Sequence, residues 1–70
     1  MKRLPPLPAL HTFLVTAQHC NFTRAGQQLH ITQGAVSRQI AALEAHLGYA
    51  LFQRQARGLS LTREGQDWLP

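Results

Sequence analysis

Between Phe22 and Gly48 the chain carries two apolar stripes at helical spacing, parted by a short polar break. In the second, Val36, Ile40, Leu43 and Leu47 recur at intervals of four, three and four, which puts them on one narrow face of a helix. That face is core. At about 100° per residue the opposite face takes Gly34, Ser37, Arg38, Ala41 and Ala45, with Gln33 and Glu44 at its flanks. A solvated helix normally places several long charged residues there. Here the first exposed turns offer Gln33, Ser37 and Arg38, all able to hydrogen-bond a base edge, beside a glycine and small alanines that let a surface come close. The helix is expected over about 33–47. Thr32 is its N-cap, without a Glu or Gln three residues on to complete a capping box. Gly48 supplies the left-handed residue that stops it. The open amides and positive dipole end at Gln33 and Gly34 suit a phosphate.

The shorter helix before it is expected to begin after Asn21 and Phe22, with Thr23 as cap and Ala25 and Leu29 turned inward. Gly26 falls where the two helices must cross closely. Glycine inside a helix costs about 1 kcal/mol relative to alanine, so a packing reason is expected for it. His30 and Ile31 make the turn, Ile31 filling the angle between the helices. Two helices joined in this way form a helix-turn-helix.

The flanking segments build a scaffold around that pair. Pro8 suits the first turn of a helix, and Leu10, Phe13, Leu14 and Ala17 then follow the i, i+3, i+4, i+7 rule, predicting a first helix from about Pro8 to His19. Beyond Gly48, Leu51 and Phe52 read as a short strand and Leu59, Ser60 and Leu61 as another, with polar Gln53 to Gly58 between them. That is a two-stranded wing with Arg54 and Arg57 at its tip. A solvated tip is the plainer reading of these arginines, but the nearest acidic residues in sequence are Glu44 and Glu64. They are therefore expected at phosphates or in a narrow minor groove. Thr62 would cap a last helix starting at Arg63, with Glu64 favourable in its first turn. Met1 to Pro6 form a basic, proline-stiffened arm, read as a frayed terminus, with a DNA-backbone contact from Lys2 or Arg3 as the alternative.

Composition narrows the function. Seventy residues make one domain, which buries only about 60% of its unfolded surface, so an enzyme pocket is not expected. Seven Lys and Arg against three Asp and Glu give a net charge of +4, which favours a polyanion, nucleic acid before membrane. No apolar run approaches the roughly 18 residues of a membrane span, and Pro5, Pro6 and Pro8 interrupt any signal-peptide core. One cysteine, Cys20, allows no internal disulfide, consistent with a reducing cytoplasm. It is read as a small packing residue at a helix end rather than a thiol sensor. His11, His19, His30 and His46 lack the close helical spacing of a metal site, so no metal and no cofactor is expected. No Ser-His-Asp order, paired carboxylates or phosphate loop occurs, and the chain reads as a non-enzyme.

Three helices, a wing and the opening of a fourth helix resemble the DNA-binding domain of LysR-type transcriptional regulators. The likeness rests on FTRAGQQLHITQGAVSRQIAALEAHLG, then LFQR, then RGLSLTREGQ, in order and at these spacings, and spans nearly the whole chain. RLPPLPAL and ARGLSLTREGQDWLP look most like the subgroup of glycine-cleavage and chromosomal beta-lactamase regulators. The resemblance implies a mostly helical winged helix-turn-helix over 1–61 and the start of a linker, or dimerisation, helix over 62–70. It implies that Gln33, Gly34, Ser37 and Arg38 meet bases in the major groove of double-stranded DNA. Thr23, Arg24 and Thr32 would then touch backbone phosphates, and Arg54 and Arg57 the minor groove or its phosphates. Two departures stand out. Gly26 replaces the usual alanine and is expected to loosen the first helix of the pair. Gly34 occupies a site that commonly has a small side chain or proline, so an apolar contact to a thymine methyl is expected to be missing. The family's effector-binding domain has no residues here, as in an excised DNA-binding domain or a very short relative.

Base chemistry assigns the roles. Arg38 can fork onto guanine O6 and N7, Gln33 can bracket adenine N6 and N7, and Ser37 can pair with several edges. The rival class is a winged helix docking on another protein through the same face, which would require large apolar residues there; the sequence has none. Trp68 is either half-buried or, as the family implies and as we favour, part of a dimer surface. With so short a linker helix, a monomer or weak dimer is expected, and cytoplasmic localisation follows from the missing targeting signals.

Overall fold

Three of the four helices open at a side chain that takes the place of a missing backbone acceptor. In the computed structural model, which describes residues 7–56 and 58–69, these are Asn21, Thr32 and Thr62. Asn21 Oδ1 accepts from the Arg24 amide at 2.9 Å, Thr32 Oγ1 from Ala35 at 3.0 Å, and Thr62 Oγ1 from Gly65 at 2.9 Å. The element order is α1 (Leu7–His19), α2 (Phe22–Leu29), α3 (Gln33–Leu47), β1 (Phe52–Gln55), β2 (Gly58–Leu61) and α4 (Arg63–Gln66). Thr23 was expected to cap α2, but Asn21 does so, and the helix begins at Phe22, two residues earlier than a cap at Thr23 would set it. Thr23 is already helical, and its hydroxyl goes elsewhere. The expected arm, with Lys2 and Arg3, lies outside the described residues, as does Arg57 of the wing.

Helix ends follow the same local logic. Gly48 closes α3 at φ 86°, its amide bonded to the Glu44 carbonyl. His30 closes α2 at φ 61° and Cys20 follows α1 at φ 49°, both in the left-handed region that side chains enter at a cost. Cys20 is exposed, which corrects its expected packing role: the left-handed backbone carries the side chain out of the core.

α1, α2 and α3 enclose one core of Phe13, Val15, Ala25, Val36, Ile40, Leu43, Leu51 and Phe52. The stripe on α1 is rotated from the expected one. Leu14 is 36% exposed, whereas Val15, Thr12 and Thr16 are buried. Thr16 donates to the Thr12 carbonyl at 2.7 Å, and the Thr12 hydroxyl lies 2.5 Å from Gln39 Oε1 on α3 and 3.0 Å from the Pro8 carbonyl, so both hydroxyls are satisfied, one within the helix and one across to α3. A threonine bonded in this way packs its methyl group like an aliphatic residue.

The wing is longer than expected. β1 and β2 pair antiparallel with Phe52 opposite Leu61, Arg54 opposite Leu59 and Gln55 opposite Gly58. Arg54 therefore lies on a strand and not at the tip. Two brackets fasten the wing. The Glu44 carboxylate accepts from the Leu51 amide at 2.7 Å and from Phe52 at 3.2 Å, tying α3 to β1. Thr62 donates its hydroxyl to the Ala50 carbonyl at 2.7 Å and its amide to Leu51 at 2.9 Å, tying the start of α4 to the same segment.

Two glycines permit these approaches. A Cβ at Gly26 would lie 2.7 Å from the Ile31 carbonyl oxygen, so the glycine has the packing reason expected of it, letting α2 approach the turn into α3. A Cβ at Gly65 would overlap the Leu51 carbonyl oxygen outright. Trp68 is half-buried against the core, with its indole N–H donated to the Tyr49 hydroxyl at 2.7 Å.

Candidate nucleic-acid interface

The outward side of α3 is exposed at Gln33, Gly34, Arg38, Ala41 and Ala45, while Val36, Ile40 and Leu43 are buried. The first bond inside the helix runs from the Val36 amide to the Thr32 carbonyl at 3.1 Å, and Thr32 Oγ1 takes the Ala35 amide. The Gln33 and Gly34 amides precede that ladder, so the helix itself gives them no acceptor. Thr32 is exposed beside them.

Neighbouring elements hold two of the four expected readers. Thr23, on the first turn of α2, donates its hydroxyl to Gln33 Oε1 at 3.1 Å. This fixes the amide with its NH2 group directed away from Thr23. Arg54, on β1, donates from Nη2 to Ser37 Oγ at 3.1 Å. Ser37 is accordingly half-buried, not fully open as the helical projection implied. The guanidinium of Arg54 lies 5.1 Å from the centroid of the Phe22 ring. Phe22 meets Phe52 edge-on at 6.2 Å, and Phe52 meets Phe13 at 5.6 Å, so the cation rests on an aromatic column rooted in the core.

Between α2 and the wing lies a groove of about 260 Å³, bordered by Asn21, Thr23, Gln33, Arg54, Gln55 and Gly58. It brings together Thr23, Gln33 and Arg54 from three elements. Arg24 is exposed at the start of α2, and Arg38 is exposed on α3 outside this groove. The sequence reading missed Glu44, Gly65 and Asn21. Asn21 carried a usable signal, since an asparagine three residues before a helical amide is a preferred cap. Glu44 carried none, because its partners are backbone amides seven and eight residues away.

A helix-turn-helix with its second helix exposed and a basic wing alongside defines a winged helix-turn-helix. Residues 7–66 match the family described as bacterial regulatory helix-turn-helix protein, lysR family. The chain belongs to that family and forms its winged helix-turn-helix DNA-binding domain. It is 55% identical over 67 residues to the glycine cleavage system transcriptional activator of Escherichia coli K12, covering 96% of this chain and 22% of that protein. Against the carbapenem-hydrolyzing beta-lactamase transcriptional activator of Enterobacter cloacae it is 51% identical over 70 residues, covering 100% of this chain and 24% of that one. Both fall in the subgroup expected from the sequence, and both are regulators rather than enzymes. The chain thus spans less than a quarter of the length of these relatives. Among solved structures, the CbnR DNA-binding domain in complex with DNA superposes with a TM-score of 0.86 at 38% identity, covering 91% of this chain and 74% of that one. The BenM DNA-binding domain with catB site 1 DNA gives 0.85 at 36% identity, covering 90% and 68%. Among the described residues no helix is long and apolar enough to cross a membrane.

Proposed function

We propose that this chain binds double-stranded DNA sequence-specifically as the DNA-binding part of a bacterial transcriptional regulator. α3, with fifteen residues, is about 22 Å long and 10–12 Å across, a match for a major groove about 12 Å wide. Gln33, Gly34, Ser37 and Arg38 meet base edges there, and Thr23, Arg24 and Thr32 meet phosphates. Arg54 and Arg57 lie toward the minor groove or its phosphates. The observation that carries the reading is the likeness to the CbnR domain bound to DNA, combined with a polar, small-residue face on α3.

The domain proper is 1–61, and 62–70 open a linker helix through which two copies pair in the intact cytoplasmic regulator. Paired recognition helices would stand about 34–36 Å apart, one turn of B-DNA, or a multiple of it, and call for a near-palindromic site. Alone, the chain is a monomer or a weak dimer, and a tight dimer by sedimentation at micromolar concentration contradicts that.

Selection from a pool of random duplexes tests the central claim. An enriched motif, with a log-log salt slope of about −0.9 for each phosphate neutralised, is the expected result. No enrichment at low salt would overturn it in favour of a protein-docking module.

A further inference from the structure

We propose that Arg54 is a specificity-determining residue that acts through Ser37, orienting the serine hydroxyl so that it donates to base acceptors. This rests on the DNA-binding reading above and assigns a mechanism to one of its contacts. Arg54 is engaged twice within the domain, by the 3.1 Å bond to Ser37 Oγ and by the Phe22 ring 5.1 Å from its guanidinium carbon, and its remaining N–H donors stay available to a phosphate. Both partners belong to the helix-turn-helix, one on α3 and one at the first residue of α2.

The direction of the bond is fixed by chemistry. Guanidinium has five N–H donors and no acceptor, so Ser37 accepts. A hydroxyl has two lone pairs and one proton; with one lone pair on a cation, the proton is left to point elsewhere, and the charge polarises it outward. On a base edge its complement is an acceptor: a purine N7, guanine O6 or thymine O4. An exocyclic amino group, on adenine N6 or cytosine N4, is disfavoured, since it would have to donate to an oxygen already facing a cation. Arg54 thereby enters major-groove base selection through Ser37, in addition to any contact of its own with the DNA backbone. The planar fork of arginine and its stacking on Phe22 make the effect specific to Arg and not to positive charge in general.

The test uses the present chain with the duplex enriched from a random pool, a series of that duplex changed one base pair at a time, and a random-sequence duplex. The variants are Arg54→Lys, Ser37→Ala and the pair together, with circular dichroism confirming that each keeps the helical signal. Arg54→Lys retains the charge and so holds the salt slope. It is expected to lose about five- to tenfold of discrimination at the same base pair whose preference Ser37→Ala removes, the effect of one net hydrogen bond. The double variant should lose no more than the worse single one, because both changes remove the same interaction. If Arg54→Lys keeps wild-type base preferences, or if the two losses add, the proposal is overturned while DNA binding stands. If the unaltered chain enriches no site, the DNA-binding reading itself fails, and this assignment with it.

Discussion

Removal of the Glu44 side chain should cost more stability than any other single change on the surface of α3. The carboxylate accepts from the Leu51 amide at 2.7 Å and the Phe52 amide at 3.2 Å, and both residues are core, at 1% and 7% exposure. Glu44 itself is half-buried, so solvent screens these bonds only in part. A hydrogen bond to a charged group contributes about 1.5–3 kcal/mol net, and a buried amide left without a partner carries a further desolvation cost. Taking one strong and one weak bond, Glu44→Ala should lose about 2–4 kcal/mol. A chain of 70 residues has a total stability of only about 4–10 kcal/mol. At about 4–8 °C per kcal/mol for a domain of this size, the melting temperature falls by about 10–30 °C. Glu44→Gln keeps a neutral oxygen for one amide and should lie between the two. Thermal and urea unfolding followed by circular dichroism give the totals. Hydrogen exchange should locate the damage, with Leu51 and Phe52 losing protection first. A loss below about 0.5 kcal/mol, the range of an ordinary surface change, would refute the bracket between α3 and the wing.

Gly65→Ala should cost about 1–3 kcal/mol in urea unfolding, as overpacking against backbone that has no flexible end to yield. A neutral result would mean α4 separates from Leu51 freely. Asn21→Ala should lose about 1 kcal/mol as a cap, whereas Thr23→Ala loses less than half of that. Equal losses would restore Thr23 as the cap. Arg38→Ala should relax specificity by about 1–3 kcal/mol at one base pair. Arg24→Ala should instead weaken selected and random duplexes alike and lower the salt slope by about 0.9. The same fold-loss on both kinds of duplex for both variants contradicts these roles.

What the sequence displayed and what it hid divide along physical lines. Val36, Ile40, Leu43 and Leu47 were legible because a helical repeat is a property of neighbours in the chain. Thr32, Gly48 and Thr62 were legible for the same reason, each acting on backbone within four residues. At Leu14 the stripe on α1 differs because polarity by residue type treats threonine as outward, whereas Thr12 and Thr16 are buried with their hydroxyls bonded, Thr16 within α1 and Thr12 to Pro8 and to Gln39 of α3. The interface was legible as a face but not as a network. Nothing local to Ser37 reveals that a residue seventeen positions on will bond it, and the register that sends Arg54 to Ser37 depends on how β1 pairs with β2. Glu44 and Gly65 belong to the same class, since their partners are backbone atoms brought near by the tertiary fold.

The division within α3 bears on how such a domain changes its target. Its inward residues cost about 2–5 kcal/mol each when truncated, so they are held by folding. Its outward residues are not all equally free. Gly34 and Arg38 are exposed, and substitution there falls on recognition alone, within about 0.5 kcal/mol of neutral for stability. Gln33 and Ser37 are each held from outside the helix, by Thr23 and by Arg54. A new residue at either of these positions leaves a donor on α2 or β1 with its acceptor removed, so, on the proposed reading of these residues as base contacts, preference should change cleanly only when Thr23 or Arg54 changes as well. Among the described residues Arg38 has no such tether, so on the proposed reading its base pair is one that a single substitution can reassign.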